Sequence, residues 1–408
     1  MTVRSLVGTE AVLDVGPVAH GGHCVARLDG RVVFVRHAIP GERVLVRVTE
    51  GDEESRFLRA DAVEVKAASP DRVTPPCPYA GPGRCGGCDF QHVTPAHQRQ
   101  LKAAVVREQF QRLARLDLDE LFPGFEVEPL PGRPDGLRWR TRVEFAAGDD
   151  GRLGLRQHRS HDVVVLDDCL IADERVIASR VLARSWLCHD GVDVVAADAP
   201  ARPVFVTLPE RGRTPTVRQR VEVPGWSGEF RVSARGFWQV HPSAAPAFVE
   251  HVLTILSPRP GEGCLDLYAG VGLFALALAD AVGPTGSVLA VEGFRPAVVD
   301  GLANAADRPQ VEFRHGRVDQ VMHGVVRRHG RSDLVVLDPP RTGAGRSVVE
   351  DVVATGPRAV AYVACDPAAL ARDTAYLHEA GYRLTSVRAF DAFPMTHHVE
   401  CIAGFVPA

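Results

Sequence analysis

The chain has 408 residues, is 45% hydrophobic and 24% charged, and carries a formal net charge of −4. This length exceeds one ordinary core, so two or three domains of a soluble globular protein are expected, and the charge excludes a uniformly basic nucleic-acid magnet. The longest apolar stretch, GLFALALADAV, is interrupted at Asp280 and too short to cross a bilayer, the N-terminus shows no secretory signal, and nine cysteines is an odd count for a disulfide framework. A cytoplasmic protein is expected.

Residues 1–66 alternate apolar and polar residues in short runs, AVLDVG, CVARLD, GRVVFVR and ERVLVRVTE, which predicts a small all-β barrel. The phrase GPVAHGGHCVARLDGRVVFVRHAIPGERV resembles the TRAM domain, a small OB-like barrel that binds RNA. A Pro/Gly/Cys-rich segment follows, in which Cys77, seven residues, Cys85, two residues and Cys88 have metal-ligand spacing, with His92 four residues further on. Soft thiolates suit both zinc and iron–sulfur clusters. The apolar spacing of PAHQRQLKAAVVREQFQRLARL predicts one helix over 95–116, packed on the C-terminal domain. Strand-like text resumes from about 125 to 230. In LRWRTRVEF, period-two alternation places Arg138, Arg140 and Arg142 on one face, a stripe that either tracks phosphates or is an ordinary solvated face. Only Lys66 and Lys102 among 47 basic residues are lysine.

From about 231 strands and helices alternate, which predicts a parallel sheet with helices on both faces. GCLDLYAG, GSVLAVEG, QVEFRHG, SDLVVLDPP and AVAYVACDP are its strands, and YRLTSVRAFDAF with HVECIAGF, having no helix between them, must form an antiparallel hairpin. In DLYAGVGLFALALA, Gly270 and Gly272 let a ligand approach the backbone, and Glu292 lies twenty residues past Gly272, as in adenosine-cofactor sites. Asp338 followed by two prolines at a strand end is foreign to hydride-transfer enzymes and common in nucleic-acid methyltransferases. An amine target needs no covalent help, whereas carbon 5 of a pyrimidine needs a thiolate at carbon 6 and then a base to remove the proton. Cys365, ending the strand after Asp338, is the candidate thiol. Glu400, at the start of an antiparallel last strand, reaches the same sheet edge and is the candidate base. His397 and His398 read as surface loop residues.

GFWQVHP, DLYAGVG, LDPPR, CDPAALARD and FPMTHHVE, in that order, resemble the RNA 5-methyluridine methyltransferase family over nearly the whole chain. The resemblance implies an α/β multidomain fold: a barrel over 1–66, a central β-rich domain over 67–230, and a Rossmann-like methyltransferase sheet over 231–408. It implies Cys365 as nucleophile and Glu400 as base. It also implies Gln239, Tyr268, Gly270, Glu292 and Asp338 around S-adenosylmethionine, with Gln239 and Asp338 close to the target uracil as well. Ala269 and Leu273 depart from the residues many members carry, Cys and Asn. Cys169 becomes the fourth ligand, with Cys77, Cys85 and Cys88, of a 4Fe-4S cluster, zinc on three cysteines and His92 being the alternative. The implied partner is RNA, ribosomal or transfer, with no membrane and the protein a monomer. The competing readings are an exocyclic-amine methyltransferase, in which Cys365 and Glu400 are structural, and a non-catalytic RNA-binding protein; a dehydrogenase comes third.

Overall fold

The N-terminal alternation builds five strands, β1 (Glu10–Asp14), β2 (Cys24–Leu28), β3 (Arg31–Arg36), β4 (Arg43–Glu50) and β5 (Phe57–Ala67). This is a computed structural model, and it describes residues 3–210, 212–328 and 331–408. The strands pair in the order β1-β4-β5-β3-β2, with β3 parallel to β5. β1 and β2 are the two edges, so the sheet curls as a half-barrel around Val33, Val35, Val44 and Val46, all fully buried. Four of these strands follow from their alternation. β5 does not, because Ala60, Asp61 and Ala62 are buried in succession where its register against β4 shifts.

α1 (Pro95–Gln109) starts with proline in its first turn, where the missing N–H costs nothing. The helix expected over 95–116 changes winding at Phe110, runs as a π-turn to Ala114 and stops at Arg115, whose φ is 58°. α1 buries two faces. Leu101 and Val105 join the half-barrel core, while Ala103 and Val106 join the core beneath the C-terminal sheet. α2 (Leu118–Leu121) and β6 (Val127–Pro129) follow.

The central segment forms β7 (Arg142–Ala147), β8 (Leu153–Arg156), β9 (Val163–Val165), α3 (Glu174–Ala178), β10 (Gly191–Val195) and β11 (Val204–Leu208). The strands make an antiparallel sheet in the order β11-β10-β7-β8-β9. The expected arginine stripe is not there. Arg138 has φ 60° and strand β7 begins only at Arg142, so the alternation that would align the three side chains is broken. Each guanidinium instead serves the fold. Arg138 grips Asp168 at 2.8 and 2.6 Å and the Cys169 carbonyl at 3.0 Å, Arg140 donates to the Arg142 carbonyl at 3.1 Å, and Arg142 donates to the carbonyls of Ala234 and Gly236 at 3.1 and 2.6 Å. The hairpin β12 (Thr216–Val223) and β13 (Trp226–Ser233) shares a core with residues 244–282, across the 230/231 boundary expected from sequence.

The C-terminal region runs α4 (Ala244–Leu256), β14 (Gly263–Leu267), α5 (Leu273–Val282), β15 (Ser287–Glu292), α6 (Arg295–Asn304), β16 (Val311–His315), α7 (Val318–Arg328), β17 (Leu334–Leu337), α8 (Arg346–Ala354), β18 (Ala359–Ala364), α9 (Pro367–Glu379), β19 (Tyr382–Asp391) and β20 (Glu400–Pro407). Its eight-stranded sheet has the order β16-β15-β14-β17-β18-β20-β19-β6. β14 to β18 are parallel and β20 is antiparallel to both neighbours, as the missing helix between β19 and β20 requires. β18 is buried at every residue, the mark of a central strand covered on both faces. The order reverses between β14 and β17, which opens a crevice at their carboxyl ends.

Candidate active site

Every chemistry-bearing residue expected in the C-terminal region lies at that crevice. Gln239, Tyr268, Gly270, Glu292, Asp338, Cys365 and Glu400 line one cleft of about 880 Å³. After β14 the backbone turns through positive φ at Tyr268 (64°), Gly270 (56°) and Gly272 (93°), a conformation that costs a tyrosine about 1–3 kcal/mol. A Cβ on Gly270 would meet nothing within 4 Å, so this turn faces open cleft. At Gly272 it would meet Phe313 and Leu276 at 2.9 Å, so that glycine lets α5 pack close to the sheet. Glu292 locks the rim by accepting from the Gly270 N–H at 2.8 Å and from the Phe294 N–H at 2.5 Å.

Strand register places the expected nucleophile and base. Ala364 is opposite Cys401, so one step further Cys365 stands beside Glu400. Glu400 is 3% exposed, and burial together with the Asp338 charge pushes its carboxyl well up, against the opposing charge of Arg341. Asp338 is pushed up to about 7 by burial and the Glu292 charge. Behind them Asp266 is pushed up to about 8 by burial first, then by Asp338 and Glu292. Burial and their mutual repulsion thus hold all three acids towards the neutral form. Burial and the charges of Glu400 and Asp338 push the Cys365 thiol up to about 12, and Arg341 opposes them.

The loop between β19 and β20, which presents Glu400, is fixed from outside the sheet. The Met395 carbonyl accepts from the N–H groups of Asp89 and Phe90, both at 2.9 Å, and the Met395 N–H donates to Gln98 at 2.9 Å. The Lys102 ammonium, fully buried, donates to Asp391 at 2.6 Å and to the Phe393 carbonyl at 3.0 Å. On the other side Asp373 accepts from Tyr362 Oη at 2.6 Å and from the N–H groups of Ala344 and Gly345, which holds the loop after Pro339 and Pro340. His397 and His398 are therefore not free surface residues. His397 Nδ1 lies 2.7 Å from Asp89, and His398 accepts from Arg341 at 3.2 Å while burial pushes its imidazole down to about 3.

Sequence reasoning missed Arg341, Asp89, Gln98, Lys102 and Asp373. Lys102 left a signal, since a lysine survives there in a chain whose other cations are nearly all arginine. Phe237 and Phe294 were also missed, 69% and 53% exposed at the cleft.

The four expected metal-site cysteines are free thiols drawn from two distant segments. Burial raises each, and the thiols act on one another: Cys169, Cys85 and Cys77 on Cys88, and Cys169 and Cys77 on Cys85, which reaches about 11. Each sulfur faces N–H donors. The Gly87 N–H donates to Cys85 and the Gln91 amide to Cys88, both at 3.4 Å. The backbone of Tyr79 and Ala80 donates to Cys77, and that of Ile171 and Ala172 to Cys169. The Arg140 charge favours the ionised forms of Cys85 and Cys169. No group of three or more His, Cys, Asp or Glu is placed to hold a metal ion among the described residues. His92, the alternative zinc ligand, turns to the half-barrel, where its Nε2 lies 3.4 Å from the Ala38 carbonyl, so a three-cysteine, one-histidine site is not formed.

Comparison with known proteins places these observations. The family model described as tRNA (Uracil-5-)-methyltransferase matches residues 213–405, and that of the TRAM domain matches residues 4–63. An uncharacterized RNA methyltransferase of Streptomyces avermitilis is 48% identical over 98% of this chain and 99% of its own. The 23S rRNA (uracil(1939)-C(5))-methyltransferase of Chromohalobacter salexigens is 34% identical over 95% of this chain and 87% of its own. The solved Pyrococcus abyssi tRNA (uracil-54, C5)-methyltransferase, bound to S-adenosyl-L-homocysteine, shares the fold, with a TM-score of 0.69 and 22% identity over 98% of this chain and all of that one. No described helix is long and apolar enough to cross a membrane.

Proposed function

The chain belongs to the RNA uracil-5-methyltransferase family, and on that premise we propose that it methylates carbon 5 of a uridine in structured RNA through a covalent adduct with Cys365. The observation that carries this reading is the register that sets Cys365 beside Glu400 in the cleft lined by Asp338. An exocyclic-amine methyltransferase would have no use for that pair.

S-adenosylmethionine supplies a methyl group on a positively charged sulfur, and the cleft fits it. Asp338 and Glu292 lie on the wall, and the open turn at Gly270 leaves room for the adenosine. Glu292 spends one lone pair on each backbone N–H and keeps others for ribose hydroxyls. A base taken out of its stack can lie against the exposed rings of Phe237 and Phe294.

Cys365 attacks carbon 6 as the thiolate. The C–S bond forms while the electrons of the 5,6 double bond move on to the carbon 5 enolate, which takes the methyl group. Glu400 then removes the carbon 5 proton, and the released electron pair restores the double bond and expels Cys365. Arg341 favours the charged form of both groups. Gln239, buried to 6% exposure in the same wall, is within the cleft that must read the base.

Cys77, Cys85, Cys88 and Cys169 are the residues we assign to an iron–sulfur cluster. The all-sulfur donor set and its N–H donors support this, with His92 engaged elsewhere. A cluster held by these four thiolates would tie the segment around Cys85 to the one around Cys169. The half-barrel built of β1 to β5 takes the RNA. The 34% identity to a 23S rRNA methyltransferase supports ribosomal over transfer RNA as substrate.

The test is labelled methyl transfer to total RNA from the source strain with the gene deleted, followed by identification of the labelled nucleoside. The expected product is 5-methyluridine in ribosomal RNA, absent with Cys365→Ala. Label on an exocyclic nitrogen would overturn the reaction, and label in transfer RNA the substrate.

A further inference from the structure

The half-barrel touches the catalytic edge with the loop Ala19 to His23, through His20 and Gly22. His20 Nε2 lies 2.9 Å from Asp366 Oδ2, immediately after Cys365. Gly22, at φ 76°, lies against His397, where an added Cβ would stand 2.5 Å from the His397 Cβ, three residues before Glu400. Asp366 also caps α9, its Oδ1 accepting from the N–H groups of Ala368 and Ala369 at 3.0 and 2.9 Å. One loop of the N-terminal domain therefore braces both segments that carry the reactive pair.

We propose that loop 19–23 is a strut by which the RNA-binding half-barrel positions Cys365 and Glu400, with His20 the positioning residue that neutralises Asp366 beside the thiol. The proposal rests on the reading of Cys365 as nucleophile. An unpaired Asp366 carboxylate opposes thiolate formation at Cys365, as do Glu400 and Asp338, while Arg341 favours it. His20 as the imidazolium offsets Asp366. The Asp366 hydrogen bond raises the His20 pKa, and around it stand Glu108 of α1, which raises it further, and Arg112, which lowers it. The sign follows. The pair is fully charged below the raised His20 value, and the help to Cys365 fades as pH climbs through it.

The test uses the full-length enzyme, its His20→Ala and His20→Gln variants, and total RNA from the deletion strain. Two rates are followed from pH 6 to 9: methyl transfer, and iodoacetamide alkylation of Cys365 mapped by mass spectrometry. Losing the charge partner of Asp366 pushes the thiol further up, and an ion pair this exposed is worth up to about fivefold, so His20→Ala should slow both rates about two- to fivefold near pH 6.5 and little at pH 9. His20→Gln, whose amide can donate to Asp366 at any pH, should recover position and turnover at pH 9 while keeping the deficit at low pH. S-adenosylmethionine affinity and the KM for RNA should change less than about twofold. A raised KM with unchanged kcat would make His20 an RNA contact, and a loss equal at all pH values, or unaltered alkylation, would make the loop mere packing; each overturns the strut. Methylation that persists in Cys365→Ala would instead overturn the nucleophile, and the alkylation comparison would still judge the His20–Asp366 link by itself.

Discussion

Lys102→Met is the perturbation that asks most of the structure. The Lys102 side chain is fully buried and Asp391 is 5% exposed, with 2.6 Å between ammonium and carboxylate. Methionine has nearly the same length and volume, so little packing is lost, but the buried Asp391 carboxyl is left without its partner. Breaking a buried pair from one side costs about 3–5 kcal/mol. In a domain of this size each kcal/mol is about 2–4 °C, so the midpoint should fall by about 6–20 °C. Because Lys102 also holds the Phe393 carbonyl, the loop that presents Glu400 should loosen and kcat should fall with it. Thermal unfolding followed by circular dichroism reads the first effect and methyl transfer below the transition reads the second. Lys102→Met with Asp391→Asn should recover part of the loss, since the orphaned carboxyl is gone. A shift under about 2 °C, or a double variant worse than the sum of the singles, would refute the claim that this pair carries the loop.

Three further outcomes follow from particular groups. Ionised Asp338 favours a cationic ligand and its carboxyl sits near 7, so S-adenosylmethionine should bind more tightly as pH rises from 6 to 8; calorimetry should find that slope largely absent in Asp338→Asn. Arg138→Ala should leave the salt dependence of RNA binding unchanged, because this guanidinium is spent on Asp168 and the Cys169 carbonyl; a flattened slope would restore the phosphate stripe. Protein purified without oxygen should be brown and contain iron and sulfide, and Cys85→Ser should lose both; colourless protein with stoichiometric zinc would contradict the cluster.

The sheet was legible because its strands are short buried runs separated by helical spacing, a pattern that only a doubly covered parallel sheet explains. Glu400 could be placed by logic alone: without a helix after β19 the last strand had to reverse. Arg138 shows where periodicity fails. Two-residue alternation presumes extended backbone, and one residue at positive φ ended it. The supports of the cleft were illegible for another reason. Lys102 and Asp391, or Asp89 and His397, lie 289 and 308 residues apart in sequence, and nothing local in either partner names the other. The same holds for His20 and Asp366, 346 residues apart.

The central claim is the carbon–sulfur bond, and Glu400→Gln tests it most directly. That variant can still attack and methylate but cannot remove the carbon 5 proton, so the intermediate has no exit. After incubation with S-adenosylmethionine and RNA from the deletion strain, the protein is denatured, digested with nuclease and protease, and the Cys365 peptide is weighed. That peptide should carry a uridine nucleotide plus one methyl group. An unmodified Cys365 peptide, under conditions in which the parent enzyme turns over the same RNA, would contradict the carbon–sulfur bond.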